Sequence, residues 1–377
     1  MRFLHTADIH LGKRLNDISL LEDQKYILEQ IVNISREKQV DAVLISGDVY
    51  QRAAPDSSAM AVFNDFLSSL VDCGKKVFVI SGNHDSDKRI SYFSSLIRPS
   101  GVYVSEKFEG VLQKITLEDS YGEIDIHLFP FVKSINVRRF FPEEEIITYQ
   151  QMTECIFRHS HVDISRRNIL LAHQYIIGAE LSDSEELAVG GLDSIDHTLF
   201  ADFDYVALGH IHKPQRAGSQ TVRYAGSPLK YSFSEMKGKK SVVVFEIKEK
   251  GEISLETAEL SPMREMREVR GALKDILDMP YSEDYVRVVV TDEFVPPDAK
   301  ISCAAVFPNM MRFVVSNSKT ECEEDVFVED GIENKSVAEL FCDFFRFQTE
   351  GAEPSEEHIS LLNEILEEME VRAREAD

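Results

Sequence analysis

The chain is predicted to fold as an α/β protein, and three observations say so. Short apolar runs of strand length alternate with longer stretches whose apolar residues recur at helical spacing. Several of the apolar runs stop at Gly-Asp, Gly-Asn-His or Gly-His. Side chains able to bind metals or move protons gather at those stops, and in α/β sheets ligands collect at the carboxyl ends of the strands.

The first ten residues read as a strand ending in Asp8-Ile9-His10. Residues 20–40 then place Leu20, Leu21, Ile27, Leu28, Ile31 and Ile34 at helical spacing, and the apolar run from Asp41 stops at Gly47-Asp48. After Pro55, Asp56 or Ser57 can cap a second helix whose Met60, Phe63, Phe66, Leu67 and Leu70 share a face. Lys76 to Ile80 leads into Ser81-Gly82-Asn83-His84-Asp85. This repeat of strand, helix and strand implies parallel pairing in a sheet covered on both faces. Two later strands obey the same rule, one before His173 and one before Gly209-His210-Ile211-His212. Residues 177–196, rich in Gly, Ser, Asp and Glu, read as a surface loop beside the site. Val222 to Tyr224 and Ser241 to Ile247 read as further strands.

Residues 261–270 lose apolar periodicity and alternate charge, which puts a boundary near Pro262. A small α/β module follows, with a helix over 272–277, strands over 285–291 and 311–316, and the Pro296-Pro297 pair as a break between them. From Ser336 a helical hairpin is expected. Val337, Leu340, Phe341, Phe344 and Phe345 form one stripe, and Ile359, Leu362, Ile365, Leu366 and Met369 the other.

At 377 residues and 43% hydrophobic composition the chain can bury a sizeable core. Its 66 acidic against 41 basic residues give a net charge of −25, the reverse of what a free-standing nucleic-acid binder carries. An acidic site binds an anionic substrate only once cations occupy it, so the charge and a metal requirement agree. The five scattered cysteines contain no CxxC pair and suggest a reducing compartment. With no apolar stretch near the ~18 residues of a membrane span and no leader pattern before Asp8, a cytoplasmic location is expected.

Asp8 and His10 lie two apart on an extended segment, so both can face one metal, with Asp48 as an anionic third ligand. Asn83, His173 and His210 can hold a second ion, His212 can turn back to the first, and Asp48 is the natural bridge. This mixture of imidazole, carboxylate and amide oxygen suits Mn²⁺ or Fe²⁺ and tolerates Zn²⁺. Two ions roughly 3.5 to 4 Å apart can activate water for attack on a phosphoester. His84 is expected to point past the metals toward the leaving oxygen, with Asp85 fixing its ring. Taken singly, each motif reads more simply as a turn or cap; the ordered set does not. Five of the eleven histidines fall within it, and His5, His127, His159, His161, His197 and His358 are assigned structural or solvated roles. Arg138-Arg139 and Arg166-Arg167 read as a solvated face with phosphate contact as the alternative.

The ordered series resembles the signature of the calcineurin-like metallophosphoesterases. Longer segments resemble the SbcD family of exonuclease subunits: FLHTADIHLGK, LISGDVY, ISGNHDS, LAHQYIIGAE, GGLDSID, FDYVALGHIHKPQ and YAGSPLKYSFSE, which span most of residues 1–245. The resemblance implies a metallophosphoesterase sheet sandwich flanked by helices over 1–260, a capping domain over 261–330 and a helical partner-binding tail over 331–377. It also implies a Mn²⁺-dependent DNA nuclease, both double-strand exonuclease and hairpin endonuclease, acting as a dimer with an SbcC-type ATPase. Position by position, Asp8, His10, Asp48 and His212 would hold one metal, Asp48, Asn83, His173 and His210 the other, and His84 would be the catalytic histidine. Gln51 departs from the family, which has an acidic residue or histidine there. Two rivals remain at this level: a small-molecule or protein phosphoesterase of the same superfamily, and a non-catalytic scaffold that keeps the fold.

Overall fold

A computed structural model describes residues 1–16, 18–183, 194–317 and 354–355. It divides into residues 1–317 and 318–377, and only the first unit is described below. The expected helical hairpin and the 331–377 tail lie outside the described residues.

Arg2–Thr6, Ala42–Ser46, Lys76–Ile80 and Val102–Val104 pair in parallel in that order. The antiparallel strands Lys240–Ile247 and Ile253–Leu260 complete a six-stranded sheet on the other side of Arg2–Thr6. A second six-stranded sheet runs Gln215–Arg216, Val222–Tyr224, Tyr205–Gly209, Arg167–His173, Gly122–Phe129 and Gln113–Asp119. The inner strands of both are unbroken apolar runs because both of their faces are buried.

The two sheets pack face to face. Phe3, Leu44, Phe78 and Phe245 from one meet Ile126, Leu128, Leu171 and Tyr205 from the other, with Tyr205 stacked on Phe245 at 3.8 Å. Helices Leu21–Glu37 and Ser57–Asp72 cover the outer face of the first sheet through Ile27, Ile31, Phe63, Phe66 and Leu70. Asp56 takes the N-cap position of the second helix, but its carboxylate pairs with Arg52 at 2.8 Å instead of capping. Helix Tyr149–Ser160, started by a Thr148–Gln151 capping box, covers the second sheet with Met152, Cys155 and Ile156.

The C-terminal module is a three-stranded parallel sheet of Met266–Gly271, Tyr285–Val290 and Met310–Val315 with helices Leu273–Leu277 and Ala299–Val306. The first strand begins inside the 261–270 segment, where the sequence marked a domain boundary near Pro262 and no strand. Its charges lie on exposed or partly exposed positions and pair across the sheet, Arg267 with Asp284 and Glu268 with Arg287, while Met266 and Val269 alone are buried. Arg264 and the Tyr285 hydroxyl both reach the buried Asp23 carboxylate at 2.7 Å, tying the module to helix Leu21–Glu37. Among the described residues no helix is long and apolar enough to cross a membrane.

Candidate metal centre

All seven predicted ligands converge where the two sheets present their strand ends. Asp8, His10, Asp48 and Asn83 come from loops after strands of the first sheet, and His173, His210 and His212 from ends of the second. The turns that aim them are tight: Asp8, His10, Asp48 and His210 all have positive φ, at 53°, 49°, 48° and 99°. Such backbone is costly for non-glycine residues and tends to collect at functional sites. Two glycines are dictated by close approach. A Cβ at Gly82 would collide with the Asp48 carboxylate, and one at Gly209 with the Ser46 carbonyl.

Asp48 is central. Its Oδ1 accepts the His84 N–H at 2.9 Å, and its Oδ2 lies 3.4, 3.6 and 3.9 Å from ring nitrogens of His173, His10 and His84. Burial opposes its ionisation, but the three imidazoles outweigh burial and hold the carboxyl well below the usual carboxylate range. His173 Nδ1 donates to the Ser46 carbonyl at 2.8 Å, leaving Nε2 to face Asp48 and, at 2.9 Å, Asn83 Oδ1. Burial disfavours the charged form of His173, yet Asp48 and Asp8 lift its pKa to about 9. Burial lowers the pKa of His210 to about 3 and drives that of His10 well down, so both rings are neutral. Asp8 is pushed up to about 7, chiefly by burial.

These donors fit divalent cations. His10 Nε2 and His212 Nε2 lie 3.0 Å apart, and Asn83 Oδ1 is 2.9 and 3.1 Å from His173 Nε2 and His210 Nδ1. With metal–ligand bonds of about 2.1 Å, neighbouring ligand atoms stand about 3.0 Å apart in octahedral and about 3.4 Å in tetrahedral geometry. Asp8 Oδ1 accepts the His210 N–H at 2.8 Å, while Oδ2 is buried without a hydrogen-bond partner. Oxygen or nitrogen atoms of Asp8, His10 and His212 form one compact set, and those of Asp8, Asp48 and His173 another.

His84 stands at the rim with 28% of its side chain exposed, but Asp85 does not hold its ring. The Asp85 carboxylate instead accepts the backbone N–H groups of Val49, Tyr50 and Gly82 at 3.1, 2.9 and 2.9 Å, bracing the loops that carry Asp48 and Asn83. Burial and the nearby Asp48 raise its pKa to about 6. The His84 ring is fixed by the main-chain carbonyl of Gln51, 3.1 Å from Nδ1. The contact uses no Gln51 side-chain atom, so the departure at this position leaves the anchor in place.

Sequence reasoning missed a supporting layer. Gln24 donates to the carbonyls of Ile9 and His10 and accepts the Gly12 N–H. Tyr231 hydrogen-bonds the Ile9 carbonyl. Lys240 donates to the His212 carbonyl and Ser227 hydroxyl, both at 2.8 Å, and to Glu235 at 2.5 Å. Three of these residues fall in or beside the YAGSPLKYSFSE segment, whose run of polar groups between apolar ones was the available signal. His5 and His127 are buried and bonded to Tyr205 and Asn168, away from the centre, while His358 lies outside the described residues. Arg166 and Arg167 pair with Glu123, Asp125 and Asp119.

The calcineurin-like phosphoesterase family matches residues 1–214, and a type 5 capsule protein repressor C-terminal domain matches 262–349. The SbcCD nuclease D subunit of Staphylococcus epidermidis is 33% identical over 319 residues, covering 82% of this chain and 84% of that protein. Its namesake from Staphylococcus saprophyticus is 31% identical with the same coverage. The protein is a metal-dependent hydrolase of phosphoester bonds, and the chain belongs to the calcineurin-like phosphoesterases and, within them, to the family of SbcCD nuclease D subunits.

Proposed function

We propose that this chain is a DNA nuclease that cleaves phosphodiesters at two divalent ions and works with an SbcC-type ATPase in DNA end processing. The observation that carries the reading is the convergence of Asp8, His10, Asp48, Asn83, His173, His210 and His212, from opposite sheets, around one carboxylate. Relatives named as nuclease subunits supply the substrate class and the partner.

Asp8, His10, Asp48 and His212 would hold one ion, and Asp48, Asn83, His173 and His210 the other. Ions held there would supply a water of lowered pKa and a counter-charge for the phosphorus oxygens. The four histidines and one amide among seven ligands favour Mn²⁺ over Mg²⁺. His84 is the catalytic histidine. With Nδ1 donating to the Gln51 carbonyl, its Nε2, 3.9 Å from Asp48 Oδ2, is left to carry a proton to the departing oxygen or stabilise its charge. Asp85 positions rather than reacts. Exposed Tyr92, Phe93 and Leu96, at 75%, 56% and 71%, offer apolar surface to a second copy, which supports a homodimer within the complex.

The test is an end-labelled hairpin duplex incubated with the purified chain and Mn²⁺, beside His84→Ala. Degradation that His84→Ala reduces by about 10²- to 10⁴-fold while Mn²⁺ still binds supports the assignment. An unaltered cleavage rate in that variant removes His84 from the chemistry. If deletion of residues 336–377 left the complex with the ATPase intact on gel filtration, the tail would not be its docking segment.

A further inference from the structure

Beside the metal centre runs a groove that no motif marks. A cavity of about 440 Å³ starts at Gly82, Asn83 and Asp85 and continues between residues 107–108 and 130–140. Asn83 belongs to both, since its Oδ1 faces His173 and His210 inside the centre. Four cations line the groove, Lys88, Lys107, Lys133 and Arg139, and all four are exposed. None of them makes an ion pair among the described residues, in a chain of net charge −25 where many other lysines and arginines do, Lys230, Lys240, Arg166 and Arg264 among them.

The groove's acids are already engaged. Asp85 accepts three backbone N–H groups, and Asp87 accepts the Lys88 N–H at 2.7 Å. Its wall also carries Phe108 and Phe140, edge to face at 5.8 Å, with Phe140 43% exposed. Unpaired cations interleaved with an exposed aromatic ring are what a single strand needs, phosphates on the cations and a base on the ring. The volume is in the range of a small-ligand pocket, which suits one or two nucleotides and not a duplex.

We propose that this groove binds an unpaired nucleic-acid strand and delivers its backbone to the metal centre, with a base against Phe140. The proposal rests on the phosphodiesterase reading and adds the path of entry: an unpaired strand reaches the metal centre past Lys88, Lys107, Lys133 and Arg139.

The test uses the full chain in EDTA buffer, where nothing is cut, and a short fluorescent oligothymidylate titrated at several salt concentrations beside a blunt duplex. The expected results are tighter binding of the single strand than of the duplex and about tenfold or greater weakening in Lys133→Ala/Arg139→Ala. Its logarithmic salt slope should fall by about 1.4, at about 0.7 for each single-strand phosphate that is no longer neutralised. Phe140→Ala should weaken binding about tenfold with the slope unchanged. Lys133→Arg/Arg139→Lys should retain the parental slope. Unchanged affinity in the charge and aromatic variants, or an equal loss in Lys237→Ala/Lys239→Ala outside the groove, overturns the proposal. Hydrolysis of bis(p-nitrophenyl) phosphate by the unaltered chain with Mn²⁺ tests the underlying reading separately. A chain that hydrolyses the ester but whose variants bind the oligomer normally keeps the chemistry and loses the groove. The reverse pattern removes the phosphodiesterase reading.

Discussion

Glu235→Gln should weaken metal binding without touching a ligand. Glu235 is 7% exposed and divides its oxygens. Oε1 accepts the Tyr231 N–H at 3.2 Å and lies 3.9 Å from His212 Nδ1, while Oε2 binds the Lys240 ammonium at 2.5 Å. Burial alone would raise its pKa, but His212 and Lys240 outweigh burial and hold it well below the carboxylate range. At 3.9 Å the anion favours the His212 tautomer that carries its proton on Nδ1, which turns the Nε2 lone pair, 3.0 Å from His10 Nε2, toward the centre. Losing such a partner typically costs about 10- to 100-fold in metal affinity, or about 1.4 to 2.7 kcal/mol.

The same change strands the Lys240 charge, and breaking a buried pair from one side destabilises by about 3 to 5 kcal/mol. The two effects separate in a cycle. Mn²⁺ affinity is read by calorimetry, and stability by urea unfolding in chelator, for Glu235→Gln, Lys240→Met and the double variant. Glu235→Gln should lose both. The double variant should recover stability, because no buried charge is left unpaired, and should not recover Mn²⁺ affinity. Parental Mn²⁺ affinity in Glu235→Gln, or its full recovery in the double variant, would refute the argument that the carboxylate acts through the His212 ring.

Burial depresses the His5 pKa from 6.5 to about 3, so the unfolded chain takes up a proton there that the native chain refuses. This leaves stability intact above pH 6.5 and erodes it as pH falls toward 3, by about 2 kcal/mol between pH 7 and pH 5. The parent should therefore lose that much more than His5→Gln in urea unfolding over the interval, and equal losses would sink the assignment. Asp85→Ala leaves the N–H groups of Val49, Tyr50 and Gly82 without their acceptor. A stability loss of about 3 kcal/mol, with weaker Mn²⁺ binding, is expected by calorimetry and unfolding, and a drop in turnover alone would mean that Asp85 reacts directly. Saturating Mn²⁺ at a hundred times its dissociation constant should add about 2.7 kcal/mol for each of the two ions, raising the melting temperature by about 8 °C in all, and EDTA should reverse it. A melting temperature indifferent to both would argue against a site preformed in the native state.

The strands that carry ligands were legible because burial on both faces makes them continuous apolar runs and each ends at a residue with chemistry. Gln113–Asp119, Gly122–Phe129 and helix Tyr149–Ser160 were not read at all. They bear no ligand, although the outermost strand alternates buried and exposed residues and the Asp119–Gly122 turn marks its hairpin. Met266–Gly271 was hidden by its charges, which are satisfied only by partners about twenty residues away. Asp85 shows the same limit within the site. Adjacency to His84 suggested a side-chain contact, yet three backbone donors compete for its carboxylate and win, a choice fixed by the fold of the 47–50 turn.

The centre is also a junction between the two sheets. Asp8 of the first accepts the N–H of His210 on the second at 2.8 Å, and His173 of the second donates to Ser46 of the first at 2.8 Å. Neither sheet alone carries all the ligands proposed for either ion, so the donors come together only when the apolar faces around Phe3, Phe78, Tyr205 and Phe245 have closed. That closure buries two carboxylates together. Asp48 and Asp8 raise the pKa of His173 to about 9 and burial raises that of Asp8 to about 7, so the centre retains protons that offset its buried negative charge. Divalent ions held there would supply a stronger and better-directed charge in their place. The left-handed turns at Asp8, His10, Asp48 and His210 cost on the order of 1 kcal/mol or more each, and the inter-sheet core offsets them. With ions bound as proposed, an acidic chain would present a cationic site to phosphate, because its buried acids would be engaged in holding metal.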